Sequence, residues 1–168
     1  MQNSDIISNI IRFIVVLLLQ VLLLNHINFL GYINPYLYLL FILLYPFTGN
    51  KSLLIFLSFL LGFCVDVFAD SGGVHAAASV FVAWLRPWLL KFSFGVSYEY
   101  NAVRVSKGSL SQQLTLITLF VLLHHLVLFS MEVFNVSHIL LVLKSTLFNG
   151  LFSILVIQCV ILIFSRNS

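Results

Sequence analysis

The side chains best suited to acid-base or ligand chemistry lie in GFCVDVFADSGGVHAAAS, residues 62–79. Asp66 and Asp70 stand four apart, a spacing that on a continuing helix puts both carboxylates on one face, about 6 Å from each other. The glycines Gly72 and Gly73 then read as a helix end and tight reversal, and His75 follows them. A metal or proton-transfer centre would use such groups, but their spacing matches no metal-ligand signature. The chain also offers no nucleophile elbow, phosphate loop or HExxH pattern. The sequence therefore argues against an enzyme, a metal centre or a bound cofactor.

Asp70 belongs near water at an outer interface, whereas Asp66 lies about one turn deeper. An aspartate facing lipid there would cost about 2.5–3.5 kcal/mol, so Asp66 is expected to face protein or water. Two roles remain open for it. It is structural, held by backbone donors of a neighbouring helix end, or it binds a cation, carries a proton or pairs with a partner. His75 reads as an interfacial histidine bonding the turn, and Ala76, Ala77, Ala78 and Ser79 form a small-residue face for close helix contact.

Further along, His124 and His125 occupy adjacent positions, which point about 100 degrees apart on a helix and so cannot simply chelate one ion. At least one must face the interior. Glu132 and Lys144 approach the same outer boundary from consecutive antiparallel segments, and the expectation is an intramembrane pair. Gln20, Asn149 and Gln158 read as helix-to-helix hydrogen-bonding groups. Cys64 and Cys159 lie in apolar runs without a CxxC pattern and read as packing residues.

The elements that position these groups follow from composition. Hydrophobic residues make up 61% of the 168 and charged residues 8%, against about 25% charged in soluble domains, and the mean hydropathy is +1.13. That is the balance of an integral membrane protein, read as a single all-α domain over residues 1–168. The eight Lys and Arg are thinly spread and read as topology signals, with no nucleic-acid footprint. Spanning a bilayer takes about 20 apolar residues. Residues 10–30, 114–134 and 139–164 meet that length, and 51–68 and 74–90 are slightly short but bounded by charges. The N-terminal run shows no small-residue cleavage pattern and reads as a retained first helix. Residues 35–47 are the short second segment: Asn34 would cap it, Pro35 would open it and Pro46 ends it.

Six crossings with the N-terminus in the cytoplasm put Arg12, Lys51, Lys91, Arg104, Lys107 and Arg166 at cytoplasmic ends. Five crossings, with 35–47 failing to span, misplace only Arg12. Both put residues 70–73 outside. Residues 92–113, with Tyr98, Glu99, Tyr100, Arg104 and Lys107, form a surface-lying cytoplasmic connector or a docking surface. Trp84 and Trp88, flanking Arg86 and Pro87, read as interfacial anchors with Arg86 reaching toward headgroups.

Gly62, Asp66, Gly73 and His75, in a membrane chain of this length with Pro35 and Pro46 around a short second segment, resemble the MreD family of rod shape-determining membrane proteins. The resemblance spans essentially the whole chain. It implies a non-catalytic component of bacterial cell elongation in the inner membrane. Its partners would be the bitopic protein MreC, the MreB filament, RodA and penicillin-binding protein 2. It also implies a compact bundle similar to the substrate-binding subunits of energy-coupling-factor transporters. That similarity supplies an alternative function, a membrane subunit binding a small solute in an outward cavity lined by Asp66, Asp70 and His75. On either reading, Gly62, Asp66, Asp70, Gly72, Gly73 and His75 form a motif for structure or partner contact.

Overall fold

A computed structural model describes residues 3–46, 49–95 and 105–165. They form six α-helices: α1 (Asn3–Leu22), α2 (Leu39–Leu44), α3 (Lys51–Ala69), α4 (Val74–Phe94), α5 (Leu110–Val133) and α6 (Ile139–Ser165). No strand occurs among the described residues; an isolated bridge between Phe29 and Ile33 closes the loop after α1. Tyr98, Glu99, Tyr100, Arg104 and Arg166 lie outside the described residues, as does the rest of 96–104 in the expected connector.

Local chemistry sets the helix ends. Asn50 accepts from the N–H groups of Ser52 and Leu53 to start α3, and Ser109 with Gln112 forms a capping box for α5. At the far end of α3, Asp70 takes a left-handed conformation and its N–H bonds the carbonyl of Asp66. Gly72 and Gly73, both at positive φ, complete the reversal into α4.

Consecutive helices α3, α4, α5 and α6 pack as antiparallel neighbours, α1 lies against α3 and α2, and α2 also touches α4. Four segments are long and apolar enough to cross a membrane: Ile7–His26, Lys51–Ala69, Leu110–Val133 and Ile139–Ile163. The apolar side chains that α1 and α6 leave exposed, such as Ile10, Leu18, Leu147 and Leu151, suit contact with lipid. The chain is thus an all-helical protein built for a bilayer. Its fourth helix, 21 residues long, carries Arg86 and Lys91 in its second half.

The short second segment departs from expectation. Pro35 does not open a helix and Asn34 does not cap one, because the Asn34 side chain folds back onto Asn28. Residues 34–38 precede a helix of only six residues, about 9 Å long against a hydrocarbon core of about 30 Å. Yet this segment is the most buried of all: residues 38–43 and Tyr45 are nearly inaccessible. They pack against Leu54, Leu61, Val65, Val82, Leu116, Ile117, Phe120, Val121, Ile157 and Ile161. Before Pro46, Tyr45 turns extended, as a residue preceding proline must, and the helix stops there.

Backbone that is not helical survives at membrane depth only if its polar groups are satisfied within the protein. Gln20 on α1 accepts from the N–H groups of Leu37 and Tyr38 at 2.7 and 3.3 Å and donates to the carbonyl of Pro35. From α6, Asn149 accepts from the Asn34 N–H at 2.8 Å and Ser153 from the Tyr36 N–H at 2.9 Å. Pro35 has no N–H to satisfy. At the other end of α2, Arg86 donates to the carbonyls of Leu43 and Tyr45, and Arg12 to that of Leu44. Arg86 is therefore buried on α2 rather than extended toward headgroups, since those terminal carbonyls have no partner inside the helix. Trp84 and Trp88 remain exposed in edge contact, 4.8 Å between centroids.

Candidate functional site

The α3–α4 hairpin gathers the residues of the opening motif around one carboxylate. Asp66 Oδ1 accepts from Ser71 Oγ at 2.6 Å, from the His75 N–H at 3.0 Å and from His75 Nδ1 at 2.9 Å; Oδ2 accepts from the Ala76 N–H at 2.8 Å. His75 and Ala76 stand at the second and third positions of α4, after its N-cap Gly73. Gly73 has no side chain with which to cap, so Asp66 caps α4 from the preceding helix. Its negative charge also faces the positive end of the α4 dipole. Because a carboxylate only accepts, His75 Nδ1 carries the hydrogen of that bond.

Gly62, one turn before Asp66, explains how the helices come close enough. A Cβ at position 62 would lie 2.6 Å from both the Ala76 Cα and the His75 carbonyl oxygen. Gly62 and Asp66 thus share a face of α3 that presses against the first turn of α4. Asp70 has left that face. The helix does not continue through Asp70: α3 ends at Ala69 and Asp70 stands exposed at the left-handed cap, as expected for a residue near water at a helix end.

Below the hairpin lies a second polar layer, centred on Tyr36. Its ring meets His125 edge-on at 4.9 Å between centroids and touches His75 at 5.7 Å and Phe129 at 6.3 Å. His124 and His125 are both fully buried. His124 Nε2 pairs with the Tyr38 hydroxyl at 2.7 Å. His125 Nδ1 donates to the Val121 carbonyl at 2.8 Å, so its Nε2 accepts from Ser153 Oγ at 3.2 Å. Adjacent in sequence, the two rings bond to different outside groups, while their Nδ1 atoms lie 3.4 Å from each other.

His75 bonds the turn as expected, though buried rather than interfacial, and Asp66 takes the backbone-held role that was one of its two readings. Gln20 and Asn149, expected to bond helix to helix, instead bond the non-helical backbone of residues 34–38. Sequence reasoning missed Tyr36, Tyr38, Ser71 and Ser153. One signal was present: Ser153 stands four residues after Asn149, on the same face of α6. The expected Glu132–Lys144 pair is not formed. Both side chains are exposed, and Lys144 Nζ lies 5.1 Å from the centroid of the Tyr32 ring. The reason is position. Glu132 continues the stripe of α5 that carries Leu128 and Phe129, whereas Lys144 continues a different stripe of α6, with Phe148, that meets the loop at Tyr32. Gln158 donates to Gln113 at 3.2 Å, a helix-to-helix bond as expected.

No group of three or more His, Cys, Asp or Glu side chains among the described residues is placed to hold a metal ion. The rings of Tyr36 and Tyr38 occupy the space among His75, His124 and His125. A shallow groove of about 700 Å³ runs outside the hairpin, between Phe59 and Phe63 on α3 and Ala76, Ala77, Val80 and Trp84 on α4. Together these features define a multi-pass helical membrane protein whose buried polar groups bond mainly to one another and to its own backbone. Comparison with family models, curated proteins and solved structures gives no match.

Proposed function

We propose that the chain is a non-catalytic membrane scaffold that works by lateral contact with other membrane helices, in the manner its resemblance to the MreD family implies. The observation that carries this reading is the employment of the motif. All of Asp66's acceptor capacity goes to closing a helical hairpin, and Gly62 lets that hairpin close tightly. The hairpin in turn presents an outward groove in which Gly73, Ala76 and Ala77 lie among the larger Phe59, Phe63, Phe81 and Trp84, and small residues of this kind let another helix come close in lipid. In this reading the site is the bacterial inner membrane, and the neighbours are an MreC-like bitopic protein and, through it, MreB, RodA and penicillin-binding protein 2. The bilayer itself is the remaining partner.

The test is co-expression with an MreC-like bitopic protein and co-purification in mild detergent. Recovery of a stable complex that Ala77→Phe abolishes, with the variant still folded, is the expected result. Failure of the wild-type chain, shown to be folded, to retain the partner would overturn it. The alternative of a small-solute-binding subunit requires a ligand that stabilises the fold. A panel of vitamins, metal ions and wall precursors is expected to leave the unfolding midpoint unchanged.

A further inference from the structure

The other end of the bundle holds a niche that the scaffold reading does not use. Tyr45, Gly49, Lys51, Leu54, Arg86 and Pro87 are among the residues that line it, where α2 ends, α3 begins and α4 passes. Its volume of about 20 Å³ is enough for one oxygen-sized group and no more. Tyr45 is 2% exposed, and its hydroxyl has no hydrogen-bond partner among the described residues. A buried hydroxyl left so lacks a hydrogen bond that an entering acceptor would restore. Arg86 lines the same niche, and exposed Lys51 stands at its mouth.

The surroundings select the charge of that acceptor. The antiparallel order of the helices brings Arg12, Lys51, Arg86, Lys91 and Lys107 to this end together with Asp5, whereas Asp66, Asp70, Glu132 and Lys144 lie at the other. The first turn of α3 adds its positive dipole beside Lys51. We propose that the niche receives one oxygen of a phosphate group, accepting from the Tyr45 hydroxyl beside Arg86 while Lys51 pairs with the rest of the phosphate outside. Basic pockets between helices at a positively charged membrane face are suited to anionic headgroups.

The full chain in phosphate-free dodecyl maltoside micelles provides the baseline unfolding midpoint. Micelles doped with phosphatidylglycerol, and undoped micelles with added inorganic phosphate, distinguish a lipid from a soluble source. A rise with either probe that Tyr45→Phe abolishes supports the phosphate site, and the responding probe identifies its source. Lys51→Gln changes only an exposed side chain and should weaken the response roughly five-fold. It keeps the test decisive if Tyr45→Phe fails to fold. Equal midpoints under all three conditions, or responses indifferent to both substitutions, would overturn the assignment.

Discussion

Asp66 joins two helices through four hydrogen bonds on a single side chain, two of them to backbone N–H groups that α4 cannot satisfy itself. Losing such a cap together with charge-assisted bonds costs about 2–4 kcal/mol, so Asp66→Ala should lower stability by that amount in detergent denaturation. Asp66→Asn, which keeps one acceptor oxygen, should lose less; an equal loss would mean that the charge rather than the geometry holds the turn. Gly62→Ala should cost about 1–3 kcal/mol, since the added methyl meets α4 backbone that cannot step aside. Gly72→Ala, with open space around it but φ at +69°, should cost only about 1 kcal/mol. The order of those two losses separates close packing from backbone strain. Because Glu132 and Lys144 do not touch, Glu132→Gln and Lys144→Met should combine additively within about 0.5 kcal/mol. A coupling larger than that would restore the pair that chain order alone suggested.

Among the elements, the segment from Asn34 to Tyr45 carries the most information about how the bundle is assembled. It is a buried strap held at its start by Gln20, Asn149 and Ser153 and at its end by Arg12 and Arg86. Replacing Gln20 with Leu would orphan the Leu37 and Tyr38 amides in an apolar interior. Hydrogen exchange at those two amides should then accelerate, while the α5 interior stays protected. Unchanged exchange at Leu37 and Tyr38 would show that the strap is held by packing alone. Most of the long helices were legible beforehand because an unbroken apolar run has few other ways to satisfy its backbone in lipid. The edges of α3 and α6 fall within a residue or so of those expected, whereas α1 spans Asn3–Leu22 rather than 10–30 because the chain turns into a loop after Leu22. The strap was not, because Pro35 followed by an apolar run is the local pattern of a helix start. Side chains from α1 and α6, remote in sequence, override it.

Taken whole, the molecule biases its charges along one axis, with Lys144 and Asp5 each at the end of the opposite sign. Basic residues gather where α1, α3 and α5 begin, and the α3–α4 turn lies at the opposite end with Asp70 exposed. A cysteine placed at Gly72 should therefore react with an impermeant maleimide added outside intact cells, and one at Lys107 only after permeabilisation. The reverse pattern would invert the topology. Composition and hydropathy determined by themselves that the chain belongs in a bilayer, that it is helical, and that Asp66 must face the interior, because each is a cost that lipid imposes on any arrangement of these residues. Tertiary structure alone decided which donors Asp66 meets, that Glu132 and Lys144 stand apart, and that residues 34–45 form the core of the bundle instead of a spanning helix. Those outcomes depend on helix register and on partners as far apart as Asn34 and Asn149, which no local pattern encodes.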